Sequence, residues 1–178
     1  KGLSDKSITL DVIRRGLTLF FLGLVYEGFF QFHFESLRIP SVLGRIGLAW
    51  MLAAILYCHT GKKTQWGVAA GILIGYFLLL KLVVAPDAPA GADSLSKEGN
   101  IAFYIDRLLL PDNIYKPGVY DPEGILSTIP AVVTAMLGMF TGRYVKESPA
   151  TGERKTLNML AAALVMAAGA AVCAPWFP

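Results

Sequence analysis

Five long apolar stretches constrain this chain more than any other feature, because each has the length of a helix that crosses a membrane. A helix needs about 20 residues to span a hydrocarbon core of about 30 Å. The stretches occupy residues 16–34, 41–58, 66–84, 125–142 and 157–174. Hydrophobic residues form 54% of the 178 residues and charged residues only 16%, which is untypical of a soluble globule. The predicted fold is an all-α, polytopic membrane helix bundle that forms one transmembrane domain over residues 1–178.

Basic residues fall in alternate connections, and this alternation predicts the direction of each helix. They precede the first stretch, separate the second from the third and separate the fourth from the fifth: Lys1, Lys6, Arg14, Arg15, Lys62, Lys63, Arg143, Lys146, Arg154 and Lys155. Lysine and arginine favour the cytoplasmic side of a membrane. We therefore expect an integral protein of the lipid bilayer, in a bacterial inner membrane, with its N-terminus in the cytoplasm.

The net charge of +3 arises from these inner connections, so it predicts no nucleic-acid-binding surface.

Cys58 and Cys173 fall on opposite sides of the predicted membrane, too far apart for a disulfide. Neither His33 nor His59 has a second ligand at metal-binding spacing, so no metal site is expected.

Small residues in two of the stretches predict close helix packing. Gly67, Gly71 and Gly75 form one stripe, for which packing within the chain is the favoured interpretation and a homodimer seam the alternative. The alanine-rich stretch 157–174 is expected to lie inside a bundle. The chain begins and ends abruptly, which predicts a fragment whose partner is the rest of its own full-length chain.

The far-side loop 86–124 is the longest connection, and long ordered connections are often functional. Residues 86–99 have the composition of a flexible linker. Apolar residues at helical spacing between 100 and 110 predict a short interfacial or re-entrant helix.

Two interpretations fit the start of the fourth stretch. Asp121 suits a helix N-cap, and Glu123 suits a first turn, so capping alone accounts for them. Alternatively, Pro130 lacks an N–H and leaves the Leu126 carbonyl without its helical partner, which predicts a polar cavity at this end.

Charged residues inside the stretches are a further chemical signal. Glu27 and Arg45 lie at similar depth, on either side of the short connection between the first and second stretches. A lone charge within a membrane is costly and normally finds a partner. We therefore predict that Glu27 and Arg45 pair or share a ligand.

Three segments, taken in order along the chain, resemble the successive signatures of one family. They are Leu37–Trp50, Asn100–Leu110 and Asp121–Pro130. The family is that of the heparan-alpha-glucosaminide N-acetyltransferases, which comprises a lysosomal membrane enzyme and its bacterial homologues. The resemblance implies a transmembrane acyltransferase that moves acetyl from its cosubstrate, cytosolic acetyl-CoA, to a glucosamine-type amino sugar across the membrane.

The resemblance and the charges together suggest two sets of site residues. The candidate substrate pocket consists of Glu27, Arg38, Arg45, Asn100, Asp106, Arg107, Asp121, Glu123, Ser127 and Thr128. The residues that could attract CoA phosphates, although helix orientation alone also accounts for them, are Arg14, Arg15, Lys62 and Lys63. The pair Asp106 and Arg107 equally fits a local anchor at the membrane interface. The family's essential histidine has no match in this chain, so the catalytic residue is unknown and the segment alone is expected to be inactive.

Two other classes of function stay open from the sequence. A transporter or a permease for glycans or lipid-linked sugars also has intramembrane charges around a polar cavity, but it moves sugar without acetyl-CoA. A structural membrane module binds neither.

Overall fold

The computed structural model describes residues 5–32, 37–110 and 121–175, so His33 lies outside the described residues. Within these ranges the regular structure is helical, with one isolated bridge between Val84 and Asn100. The all-α prediction is confirmed for the described residues. The helices are α1 Asp5–Tyr26, α2 Val42–His59, α3 Lys62–Leu82, α4 Ile101–Leu109, α5 Thr128–Glu147 and α6 Gly152–Cys173, with a 3-10 turn at Phe29–Gln31.

Among the described residues, three helices are long and apolar enough to cross a membrane: α2, α3 and α6. They indicate an integral membrane protein. Helices α1 and α5 have similar lengths of 22 and 20 residues, but each carries charges along part of its length. In α1 the charges Asp11, Arg14 and Arg15 confine the apolar part to the second half. The count of five spans therefore stays a prediction.

The first helix begins and ends earlier than the predicted stretch 16–34. It ends at Tyr26, and the chain then turns through Gly28, whose φ of 103° is in the left-handed region. Glycine adopts this conformation without the steric cost of a Cβ, so it readily ends a helix. Phe32, with φ of 56°, bends the chain again after the 3-10 turn.

Helices α1 and α2 pack closely through small residues. A Cβ on Gly47 would lie 2.7 Å from the carbonyl oxygen of Gly16. A Cβ on Gly23 would lie 2.2 Å from Oγ of Ser41, which caps α2 by accepting a 3.0 Å hydrogen bond from the amide of Gly44. Glycines allow helix backbones to approach closely. This contact fixes the start of α2, and with it the segment that carries Arg38 and Arg45.

The predicted packing of the α3 glycine stripe within the chain is wrong for the described residues. A Cβ on Gly67, Gly71 or Gly75 would meet no described atom within 4 Å. Small residues permit a close approach between helices but do not determine which helices approach. In the described residues, the close approach through glycines is that of α1 to α2. The homodimer seam stays a prediction.

The chain divides into two compact units, residues 1–136 and 137–178. In the second unit, Nζ of Lys155 donates to the Val145 carbonyl at 2.8 Å, and Nδ2 of Asn158 lies 2.7 Å from the Tyr144 hydroxyl. Helix α6 buries none of its residues. That this alanine-rich helix lies inside a bundle stays a prediction.

Residues 86–99, predicted as a flexible linker, instead form hydrogen-bonded turns. The amide of Ala85 donates to the Gly99 carbonyl at 2.8 Å, and Oγ of Ser94 donates to the Lys81 carbonyl at 3.1 Å. These bonds return the chain to the end of α3, where α4 begins. Proline, glycine and aspartate are common both in linkers and in tight turns, so composition did not separate the two cases.

Candidate functional site

Arg38, in the segment before α2, connects three carboxylates. Its guanidinium donates from Nε to Oδ2 of Asp121 at 3.1 Å and from Nη2 to Oδ1 at 2.8 Å. Nη2 also donates to the carboxylate of Glu123, and Nη1 lies 3.5 Å from Oε1 of Glu27. We call Glu27, Arg38, Asp121 and Glu123 the Arg38 cluster. Glu27 follows the end of α1, whereas Asp121 and Glu123 share one segment, so the arginine ties the end of α1 to the segment before α5.

The Arg38 cluster carries an excess of negative charge. One guanidinium faces three carboxylates, and its hydrogen bond to Asp121 is the main cause that raises the pKa of Arg38 above its usual value. Asp121 is fully buried, whereas the Glu27 and Glu123 side chains retain 21% and 18% of their exposure. Such an excess of carboxylates attracts cations and repels anions. The cluster is therefore suited to attract an ammonium group.

Arg45 contacts the same segment through backbone carbonyls. Its Nη1 donates to the carbonyl of Pro122 at 2.7 Å and its Nη2 to that of Ser127 at 3.1 Å. The predicted direct pair of Glu27 with Arg45 is wrong, because the carboxylate of Glu27 contacts Arg38 instead, whereas a ligand shared by Glu27 and Arg45 stays a prediction. Similar depth on two neighbouring helices leaves open which way each side chain points, and Arg38 is the basic residue that faces Glu27.

The segment 121–128 is folded by its own side chains as well. Oδ1 of Asp121 accepts from the amide of Glu123 at 2.8 Å, which closes a tight turn. The hydroxyls of Ser127 and Thr128 each donate to the carbonyl of Gly124 at 3.0 Å. These bonds place the Glu123 side chain beside Arg38.

The capping interpretation of this segment is wrong, and so is the cause given for a polar cavity, although a cavity lined by Glu123 and Thr128 does lie at this end of α5. Helix α5 begins at Thr128, so Asp121 and Glu123 are too far upstream to cap it. Pro130 lies in the first turn, where the amide has no partner within the helix in any case. The carbonyl of Leu126 is not left free, since it accepts from the amide of Ile129 at 3.1 Å.

Asp106 of α4 is fully buried against the same segment. Its Oδ1 accepts from the amide of Ile125 at 2.8 Å, and its Oδ2 has no hydrogen-bond partner in the described parts of the chain. A Cβ on Gly124 would lie 1.8 Å from Oδ2, so a glycine is required there. Burial raises the pKa of Asp106 to about 6, and the nearby charge of Asp121 acts in the same direction. The hydrogen bond from the Ile125 amide holds α4 to the segment before α5, and Asp106 is protonated below about pH 6.

This protonation predicts a pH dependence of stability. Because the folded protein holds the Asp106 proton more tightly than the unfolded chain does, the stability that this proton contributes is full below the ordinary pKa of 3.8 and is lost as the pH rises through about 6. Asp106→Asn cannot titrate. We expect thermal unfolding between pH 4 and 7 to show that Asp106→Asn is less stable than the unaltered protein by an amount that shrinks as the pH rises. A difference in stability that does not change with pH would contradict the assignment. Asp11→Asn, at an exposed position of α1, serves as the control.

Two predicted pocket residues lie apart from the Arg38 cluster. Arg107 pairs with Asp87 through two hydrogen bonds of 2.9 and 3.1 Å, so the predicted local pair of Asp106 and Arg107 does not form. Asn100 caps α4, its Oδ1 accepting from the amide of Ala102 at 2.9 Å. Both residues stabilise the fold around α4.

Two cavities adjoin the Arg38 cluster. One of about 130 Å³ is lined by Glu123, Arg45, Ser41 and Thr128 on its polar side, with apolar walls that include Leu48. The other, of about 330 Å³, is lined by Glu27 and Ser41 among others. Ser41 lines both cavities, although no sequence pattern marks it as a cavity residue. Its position after Pro40 marks it as a helix cap, which gives no hint of a cavity.

The basic residues predicted to attract CoA do not form one site among the described residues. Arg14 and Arg15 line an open groove on α1 together with Asp11. Lys62 and Lys63 are exposed at the start of α3. In the described ranges, no three His, Cys, Asp or Glu side chains converge to hold a metal ion.

The chain is similar in sequence to two curated proteins. The chain is 32% identical over 151 residues to heparan-alpha-glucosaminide N-acetyltransferase of Homo sapiens, covering 61% of this chain and 23% of that protein. Over an alignment of 189 positions, it is 26% identical to the protein of the same name from Mus musculus. This alignment covers 80% of this chain and 29% of that protein. The predicted family resemblance is confirmed. The chain spans about a quarter of the length of these two curated relatives. No family model matches it.

Proposed function

We propose that this chain is part of a transmembrane N-acetyltransferase that moves acetyl from cytosolic acetyl-CoA to a glucosamine-type amino sugar on the far side of the membrane. One observation carries the proposal. The three segments that resemble the family meet at one site, although the first lies about 50 residues before the second. They contribute Arg38 and Arg45, then Asp106, then Asp121 and Glu123. The similarity to two proteins that bear the acetyltransferase name supports the same function.

The Arg38 cluster suits the acceptor side of this reaction. An amino sugar arrives as an ammonium ion, which the excess carboxylate charge attracts. The ammonium must first lose a proton to a base, because only the neutral amine attacks the acetyl carbonyl. The bond from that carbonyl to the acetyl carrier, CoA or an acetylated residue, then breaks, and the leaving group takes up the second proton that the nitrogen releases. Glu123 lines the smaller cavity and can contact the acceptor, whereas Asp121 is buried and acts as a positioning residue for Arg38 and Glu123.

The donor side is proposed from the membrane orientation. With the N-terminus in the cytoplasm, Arg14, Arg15, Lys62 and Lys63 lie on the side from which acetyl-CoA arrives, and their charge complements its phosphates. The family's catalytic histidine has no matching residue in this chain. The remainder of the full-length protein would therefore complete the transfer machinery.

Reconstitution of the full-length protein in vesicles tests this function. With acetyl-CoA on the cytoplasmic side and glucosamine on the other, we expect N-acetylglucosamine to form on the glucosamine side, and residues 1–178 alone to form none. Movement of unmodified glucosamine without acetyl-CoA would instead identify a transporter. Turnover by the isolated segment would contradict the proposed division of the machinery.

A further inference from the structure

A separate apolar groove of about 600 Å³ lies between α2, α3 and α5 in the first unit. Its walls include Ile46 and Trp50 of α2, Leu73 of α3 and Ala135 of α5, and Arg45 lies at its edge. Among the residues that line the groove and the 130 Å³ cavity, only Arg45 belongs to both. The groove is therefore distinct from the proposed acceptor cavity.

The charge in the groove lies at one end, along the direction of the helices. Arg45 lies in the first turn of α2, a helix long and apolar enough to span a membrane. From Arg45 to Trp50 the helix advances by about 7.5 Å at 1.5 Å per residue. Ile46 and Leu73 are 53% and 49% exposed, so the groove is accessible from the lateral surface that faces lipid. One end thus lies near the level of lipid head groups and the rest at the depth of acyl chains.

Arg45 brings a positive charge to this end without a carboxylate partner among the described residues. It uses two of its five N–H donors for the carbonyls of Pro122 and Ser127, which leaves three for a ligand. The carboxylate of Glu123, on the cavity side of Arg45, already accepts from Arg38. Charges near a membrane interior normally find an opposite charge.

We propose that this groove binds an anionic lipid, with its phosphate at Arg45 and an apolar chain between α2, α3 and α5. A guanidinium presents a fork of donors that matches two phosphate oxygens. Apart from Arg45 and the hydroxyl of Thr134, the residues that line the groove are apolar or aromatic, so they suit the chain of a lipid better than the polar body of a soluble phosphate compound. The groove shares Arg45 with the proposed acceptor cavity, but the binding of a lipid in it does not depend on acetyl transfer.

Binding of defined lipids to the purified full-length protein, measured by native mass spectrometry, tests the proposal. Dioleoyl phosphatidic acid should bind at least tenfold more tightly than dioleoyl phosphatidylcholine and than glycerol 3-phosphate. Arg45→Gln should remove the preference over phosphatidylcholine. Equal binding of the two lipids, or equal binding of glycerol 3-phosphate, would overturn the proposal.

A matched pair of variants separates the groove from the fold. Ala135→Phe fills the groove and removes no hydrogen bond, so phosphatidic acid should bind at least tenfold more weakly. Ala70→Phe adds the same volume at an exposed position of α3 outside the groove and should leave binding unchanged. If Arg45→Gln does not fold, Ala135→Phe decides the question. Unchanged binding by Ala135→Phe contradicts the proposal.

Discussion

Asp121→Asn should destabilise the full-length protein by about 3 kcal/mol, because it removes the buried carboxylate that pairs with Arg38 by two hydrogen bonds. Breaking a buried ion pair by removing one partner typically costs 3–5 kcal/mol. The lower end applies here, since Glu27 and Glu123 still face the Arg38 guanidinium. The free energy of unfolding, measured in detergent by denaturant titration, checks the value.

Asp87→Asn provides the matched control for this prediction. It breaks a similar two-bond pair with Arg107, but the Asp87 side chain is 46% exposed. Pairs at the surface contribute about 0–1 kcal/mol. Equal losses from Asp87→Asn and Asp121→Asn would contradict the central role of burial at Asp121.

Gly124→Ala should be comparably destabilising for a steric reason. The added Cβ would lie 1.8 Å from Oδ2 of Asp106, a buried atom that cannot move into solvent. Overfilling a packed interior typically costs about 1–3 kcal/mol, and displacement of Asp106 also breaks its bond from the amide of Ile125. We expect a total of about 2–4 kcal/mol in the free energy of unfolding.

Gly71→Ala is the control, because a Cβ there meets no described atom within 4 Å and alanine is favoured over glycine in a helix by about 1 kcal/mol.

A second test combines Gly124→Ala with Asp106→Ala. Shortening Asp106 removes the clash, so the double variant should lose less stability than the sum of the two single variants. Strict additivity would show that Gly124 and Asp106 do not contact each other.

The helices were largely predictable from the sequence, because apolar length and spacing are local signals. Helix α4 at Ile101–Leu109 lies within the predicted range 100–110. The first helix was placed too late, since its end depends on the left-handed conformation of Gly28. Glycine is compatible both with a helix interior and with its end, so composition alone does not locate the boundary.

The site was predicted as a set of residues but not as a set of contacts. Arg38, Asp121 and Glu123 were all candidates, yet Glu27 was assigned to Arg45 from depth alone, and depth does not give the direction of a side chain. The contact of Asp106 with Gly124 depends on how α4 packs against a distant segment. In the sequence, Gly124 is indistinguishable from an ordinary turn glycine.

Steady-state kinetics of Glu123→Gln in the full-length protein test the central claim most directly, namely that the Arg38 cluster lies on the acceptor side of an acetyl transfer. Glu123 lines the 130 Å³ cavity, so its neutral variant should raise the KM for glucosamine at least tenfold and leave the KM for acetyl-CoA unchanged. Glu98→Gln, at an exposed turn, should change neither constant. A raised KM for acetyl-CoA with an unchanged KM for glucosamine would contradict the account.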